Sequence, residues 1–291
     1  MSDDTTTVRI DSTDGVTLAL HDMGGSGPAL IICHATGFHG RAYTPMARAL
    51  LAHHHVWAID FRGHGASTPP STGDFAWSGM AHDLLACIDA IGTSAVLAFG
   101  HSLGGAAVLL AETSRPGSIA AAYLYEPIVL PRELLIGRTD NPLGEAARRR
   151  REVFGSKAEA LMRYASRPPL SVLRSDALAA YVEDGFVELA DGTVRLACLP
   201  EHEARTFECE EKMTLDRIDG LALPTTVGAG VVRGSPNPAD FAAMIVERLV
   251  NGRLVEYEHL GHFGPLESPD QIAAEVLAAL PRRRRRRPAP R

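Results

Sequence analysis

The sequence predicts an α/β protein in which a mostly parallel central sheet is flanked by helices and carries a mainly helical insertion. Three observations support this fold class. Short apolar runs at 28–34, 56–60, 95–99 and 119–125 have the unbroken hydrophobic content of strands buried on both faces. Ala- and Leu-rich stretches at 43–52, 77–91 and 103–113 alternate with them, and these are good helix formers. Such alternation builds parallel strand–helix–strand units. The pattern lapses over 131–219 and resumes at 225, as an insertion would make it do. At 291 residues the chain has room for one large domain with an insertion of that size.

In chain order, Asp14-Gly15 is a turn pair between 8–10 and 16–21, which together read as an opening hairpin. Strand 28–34 runs into a loop of small residues, 34–40, and then helix 43–52. Strand 56–60 is followed by the turn 61–67 and helix 77–91, where Leu84, Leu85, Ile88 and Ile91 recur at core spacing. Strand 95–99 and helix 103–113 flank a glycine-rich turn, and strand 119–125 ends at Glu126-Pro127. Within the insertion the pattern predicts helices over 142–154, 158–166 and 176–183. A small hairpin is expected around Asp191-Gly192, joining 186–189 to 193–198. Strand 225–228, helix 239–249, strand 254–257, loop 260–267 and a last helix 269–280 complete the chain. The expected division is a core of 1–130 and 220–280, an insertion of 131–219, and a disordered Arg-rich tail of 281–291.

The net charge is −6; without the seven arginines at 282–287 and 291 it falls by seven, to −13. So acidic a body argues against nucleic acid as a partner, and the tail reads as solvated. No apolar run approaches the length of a membrane span. The opening Met1-Ser2-Asp3-Asp4 is acidic, unlike a secretory signal. The four cysteines lack C-x-x-C spacing, so neither a zinc site nor a disulfide framework follows, and a cytoplasmic location is expected.

The turn Gly100-His101-Ser102-Leu103-Gly104 fits G-x-S-x-G between a buried strand and a helix. In such a turn the serine holds a strained backbone position and projects its hydroxyl alone, while the Leu103 N–H points into the same space. A serine in a glycine-rich turn can also merely cap a helix, but the buried strand before it favours a chemical role. A serine hydroxyl needs an adjacent base at neutral pH. With twelve histidines in the chain, position must choose among them. His53, His54 and His55 read as a polar loop, with no carboxylate or cysteine at ligand spacing to make a metal site. His101 reads as a packing or hydrogen-bonding neighbour and His64 as part of the turn after Asp60. His34 and His39 are candidate pocket residues. Asp60 and Asp83 read as structural.

Over roughly 8–280 the chain resembles the α/β-hydrolase-fold family, in its lid-bearing serine-hydrolase branch. Three matches in the expected order carry the resemblance: Gly100-His101-Ser102-Leu103-Gly104, the turn Asp60-Phe61-Arg62-Gly63-His64-Gly65, and Leu260-Gly261-His262-Phe263. It implies Ser102 as nucleophile and His262 as base. The family's commonest acid lies shortly after the strand at 225–228, where this chain has no carboxylate before Asp240. Some members place the acid at the end of the strand that follows the nucleophile's helix, where this chain has Tyr125-Glu126-Pro127. A glutamate closing an apolar strand is costly without a partner, which favours Glu126 and leaves Asp240 as the alternative. For the oxyanion hole, the Leu103 N–H is one expected donor. The other is expected from the 34–40 loop, where His34-Ala35 replaces the family's His-Gly. Register selects Thr36, with Gly37 or Phe38 as alternatives.

The resulting expectation is a hydrolase without metal or cofactor that acts on an ester-like or activated carbonyl bond of a small, partly apolar substrate. Serine at the elbow, where related epoxide hydrolases and haloalkane dehalogenases carry aspartate, argues against those chemistries. C–C hydrolysis and cofactor-free perhydrolysis use the same three residues. A non-catalytic receptor or scaffold of the same fold is the rival from another class.

Overall fold

The computed structural model describes residues 6–134, 141–232 and 238–281. The chain opens with β1 (Thr6–Asp11), β2 (Thr17–Gly25) and β3 (Ala29–Cys33), then α1 (Thr44–Leu50), β4 (His55–Asp60), α2 (Trp77–Ile91), β5 (Val96–His101), α3 (Leu103–Ser114) and β6 (Ile119–Tyr125). The following segment holds α4 (Pro142–Arg148), β7 (Val153–Phe154), α5 (Lys157–Ala165), α6 (Ser175–Asp184), β8 (Phe186–Glu188), β9 (Val194–Leu196) and α7 (Pro200–Glu208). The chain ends in β10 (Thr225–Gly230), α8 (Ala242–Arg248), β11 (Gly252–Tyr257), α9 (Gly264–Glu267) and α10 (Pro269–Ala279). Of the expected Arg-rich tail, 281–291, all but Pro281 lies outside the described residues.

Eight strands form one sheet in the order β1-β2-β4-β3-β5-β6-β10-β11. β1, β2 and β4 pair antiparallel, and all neighbours from β4 to β11 run parallel. After β3 the chain steps outward to β4 and then crosses back to place β5 on the other side of β3. Strand order therefore reverses between β3 and β5. The loops leaving their carboxyl ends diverge there and open the crevice in which α/β sheets bind ligands.

Side-chain alternation along β5 divides the core. Val96 and Ala98 face the cluster covered by α2, α3 and α8, while Leu97 and Phe99 face the one covered by α1 and α10. The second cluster continues into the 131–219 segment through Phe154, Leu178, Tyr181 and Phe186. That segment leaves and returns at one neck, where the Leu130 N–H donates to Met213 O at 3.1 Å and the Leu215 N–H to Leu130 O at 3.1 Å.

Several elements differ from the sequence pattern. The helix expected over 142–154 stops at Arg148, and Val153–Phe154 becomes a strand beside β9, so the expected hairpin is a three-stranded sheet. Phe154 is buried against Tyr164 and Phe186, a tertiary contact that overrides local helix propensity. The helix expected over 239–249 begins with a 3₁₀ turn, Pro238–Phe241, before α8. The loop expected over 260–267 winds into α9. His54 is interior rather than on a polar loop, and its Nε2–H donates to Pro281 O at 3.0 Å. Among the described residues no helix is long and apolar enough to cross a membrane.

Candidate active site

β5 runs fully buried into Ser102, whose φ of 55° and ψ of −115° belong to neither strand nor helix. Positive φ is strained for any residue with a side chain. Among the described residues it occurs, glycine apart, at Asp14 in a turn, at Ser102, and at Glu126 with φ 42°. Glycines permit the close approach that holds Ser102 there. A Cβ on Gly100 would lie 2.7 Å from Gly105 Cα, and one on Gly104 would lie 2.1 Å from Cys33 O. The Ser102 carbonyl accepts the N–H groups of Gly105 at 3.0 Å and Ile128 at 3.2 Å, tying the elbow to the chain just after Glu126. Leu103 begins α3, so its N–H has no partner within the helix.

Parallel pairing sets His101 of β5 beside Tyr125 of β6, so Ser102 and Glu126 leave adjacent strand ends. The Glu126 side chain is fully buried. Its Oε1 accepts the Gly230 N–H at 2.8 Å, and its Oε2 accepts the Nδ1–H of His262 at 2.6 Å. An unpaired buried carboxylate costs several kcal/mol, and here both oxygens are engaged. Asp240, the alternative acid, sits exposed in the 3₁₀ turn before α8. With Nδ1 donating, Nε2 is the basic nitrogen of His262, the tautomer a general base requires. Among the described residues neither the Ser102 hydroxyl nor His262 Nε2 has a hydrogen-bond partner, so both are open to a reacting group. Contacts of this kind commonly tighten only around substrate.

The loop carrying His262 is held on three sides. Tyr125 O–H donates to Gly261 O at 2.8 Å, the Gly261 N–H donates to Glu267 Oε1 at 3.2 Å, and His101 Nε2–H donates to His262 O at 2.7 Å. Half-burial, with the nearby Glu126 carboxylate, holds Glu267 above the usual carboxylate range. A Cβ on Gly264 would meet Tyr125 Oη at 2.1 Å, which is why a glycine follows Phe263.

After β3 the chain makes a turn from Ala35 to Phe38, closed by the Phe38 N–H on Ala35 O at 3.1 Å and with Gly37 at φ 77°. The closure uses the Phe38 N–H and removes it as an oxyanion donor. The Thr36 and Gly37 N–H groups have no partner among the described residues. His34 makes structural hydrogen bonds, whereas His39 lines a small cavity with Gly37, Phe38, Tyr181 and Cys198. His34 Nδ1–H donates to Ala35 O at 2.8 Å while its Nε2 accepts the Phe61 N–H at 3.0 Å, joining the turn to the chain after β4. Burial, reinforced by His64, pushes its pKa down to about 3. His39 is buried too, and its Nε2–H donates to Tyr181 O at 3.0 Å. Asp60 is structural, as expected. It accepts the Gly40 N–H at 2.7 Å and the Ala66 N–H at 2.8 Å.

Two features carried no sequence signal. Tyr181 on α6 donates its O–H to Gly37 O at 3.4 Å and accepts from Arg150 Nη2 at 2.7 Å, and Arg150 also pairs with Glu203. This places the 131–219 segment directly against the turn after β3. Phe38 stands 5.0 Å from the Tyr181 ring and 5.7 Å from that of Phe263, an aromatic flank beside His262. Among the described residues no three His, Cys, Asp or Glu side chains converge as a metal would need.

The sequence pattern of the alpha/beta hydrolase family matches residues 30–275. A polyketide synthase of Burkholderia thailandensis, ThaQ, is 28% identical over 271 residues, 88% of this chain; the chain spans 12% of that protein's length. Lipase LipV of Mycobacterium tuberculosis is 27% identical over 282 residues, covering 91% of this chain and 98% of the lipase. A pimeloyl-[acyl-carrier protein] methyl ester esterase of Xanthomonas campestris is 32% identical over 103 residues, 35% of this chain and 38% of the esterase. Among solved structures, E-2-(acetamidomethylene)succinate hydrolase superposes with a TM-score of 0.80 at 19% identity, covering 94% of this chain and 98% of its own. The thioesterase domain from the curacin biosynthetic pathway gives 0.75 at 18%, covering 94% and 99%. At these identities the structural likeness is one of fold. The family pattern spans most of the chain, and the sheet order and elbow agree with it: the chain belongs to the alpha/beta hydrolase family.

Proposed function

We propose that the protein is a serine hydrolase that cleaves an ester-like or activated carbonyl bond of a small, partly apolar substrate through an acyl-enzyme. The observation that carries this reading is the fully buried Glu126 carboxylate on Nδ1 of His262, on the strand end beside a strained Ser102. Ser102 Oγ attacks the carbonyl carbon as His262 Nε2 takes its proton, and Glu126 stabilises the imidazolium that forms. Negative charge gathers on the former carbonyl oxygen, where the N–H groups of Leu103 and Thr36 are the proposed donors. The imidazolium then protonates the leaving group, and a water activated by the same nitrogen releases the acid. No step calls for a metal or cofactor. Residues 131–219 act as the lid of this site, a reading supported by the contact of Tyr181 with Gly37 and by the aromatic flank, which suits an apolar acyl group.

A fluorophosphonate probe tests the reading. It should label the protein at Ser102, and Ser102→Ala should abolish both labelling and hydrolysis of 4-nitrophenyl esters. Hydrolysis that survives the substitution would sink the mechanism. A folded wild-type protein that neither labels nor hydrolyses would instead point to a non-catalytic scaffold.

A further inference from the structure

The residue before the elbow serine lies at the centre of a buried relay that joins the base to the turn after β3. Its direction follows from chemistry alone. The His262 carbonyl can only accept, so His101 carries its proton on Nε2, which donates at 2.7 Å. Nδ1 of the neutral ring must then accept, and the Tyr43 O–H supplies the donor at 2.7 Å. The tyrosine oxygen in turn accepts the Ala35 N–H at 3.2 Å. Tyr43 and His101 are both completely buried.

We infer that His101, together with Tyr43, is a positioning residue that sets the separation between the base His262 and the oxyanion turn at Ala35-Thr36; the role rests on the hydrolase reading above. The groups that must converge come from separate places in the fold. The turn follows β3, the nucleophile follows β5 and the base follows β11. Along the chain the turn and the base lie 227 residues apart. The relay connects them through two side chains, one of them adjacent to Ser102. Interior hydrogen bonds of this kind are electrostatically strong and hold geometry tightly, and misplacement by about 1 Å can cost a hundredfold in rate. Both ring nitrogens of His101 are satisfied, one by the base's own carbonyl and the other by the tyrosine that holds the oxyanion turn. Burial also keeps the ring uncharged, so a proton arriving on His262, 5.1 Å away between ring centres, meets no like charge.

The test compares His101→Leu, His101→Gln, Tyr43→Phe and the double variant Tyr43→Phe/His101→Leu. The readouts are the rate of fluorophosphonate labelling and the steady-state constants on 4-nitrophenyl butyrate. Glutamine keeps a donor near the position of Nε2, whereas leucine keeps only volume. His101→Leu should lower kcat and the labelling rate by about 10- to 100-fold, with KM within about threefold. His101→Gln should recover most of that loss, Tyr43→Phe should cost less, and the double variant should be no slower than His101→Leu alone. The inference is overturned if His101→Leu keeps wild-type kcat, if glutamine is as slow as leucine, or if the two losses simply multiply. Should His101→Leu fail to fold, wild-type rates in folded Tyr43→Phe together with no more activity than background in folded His101→Gln overturn it equally. A wild-type protein that does not label removes the hydrolase reading and this role with it, whereas a labelled wild type with unaffected variants removes this role alone.

Discussion

The sheet edge and the segment that packs over it hold their polar groups by different means. At the sheet edge Glu126, His101, Tyr43, His34 and Asp60 are buried and hydrogen-bonded to partners in the turns and loops at the strand ends. In the 131–219 segment most ion pairs face water: Arg148 with Glu201 and Glu208, Arg151 with Glu159, Arg174 with Asp176 and Asp270. Water and salt screen such pairs, so each contributes little, while a buried group deprived of its partner costs several kcal/mol. On the proposed function, the geometry for bond-making is therefore set where changes are expensive. The outer surface of the 131–219 segment, by contrast, carries pairs whose replacement is cheap.

The comparison is open to attack in order of expected effect. The sheet edge should respond most strongly at Glu126. Glu126→Gln should lower turnover of a 4-nitrophenyl ester by about four orders of magnitude, the loss seen when a triad acid no longer fixes the imidazole tautomer. Asp240→Asn should leave turnover within about twofold of wild type. Comparable losses in the two variants would show that Glu126 is not the partner the reaction uses.

Backbone packing gives the next contrast. Gly104→Ala forces a Cβ to within 2.1 Å of Cys33 O. The elbow must shift, and urea unfolding should register a loss of about 2–3 kcal/mol or more. Gly192→Ala, in the turn between β8 and β9, meets nothing within 4 Å and bears only the strain of φ 83°, a loss of about 1 kcal/mol. Equal losses would remove the distinction between the two regions.

Buried histidines make a prediction in pH. Burial lowers the pKa of His34 to about 3 and pushes His39, His64 and His101 down as well. The unfolded chain takes up these protons below about pH 6.5 and the folded chain does not, so unfolded protein binds more protons and stability falls as the pH drops. The contribution is complete above about 6.5 and is lost progressively toward 3. For His34 alone the loss at pH 5 comes to about 2 kcal/mol. A urea midpoint that holds constant from pH 7.5 to 5 would count against neutral buried histidines. The smallest effect is expected on the far side of the comparison. Arg148→Ala should move the melting temperature by less than about 3 °C, and 0.5 M NaCl should erase most of that difference.

By itself the sequence determined what local chemistry specifies. Unbroken apolar runs mark buried strands wherever they occur, so β3 to β6 and the helices between them were legible. The glycines around Ser102 marked a turn too tight for side chains, and the distances from Gly100 and Gly104 to neighbouring backbone show why. Glu126 stood out because a charge closing an apolar strand demands a partner. Tertiary structure decided who the partners are. Strand pairing set Glu126 beside Ser102 and left Asp240 at the surface. Closure of the Ala35–Phe38 turn consumed one candidate donor, and burial of Phe154 turned the end of an expected helix into a strand. The relay from Ala35 through Tyr43 and His101 to His262 spans residues 227 positions apart. Hydrogen bonds over such separations leave no periodic trace in the sequence, because only the folded sheet brings their donors and acceptors within 3.2 Å of one another.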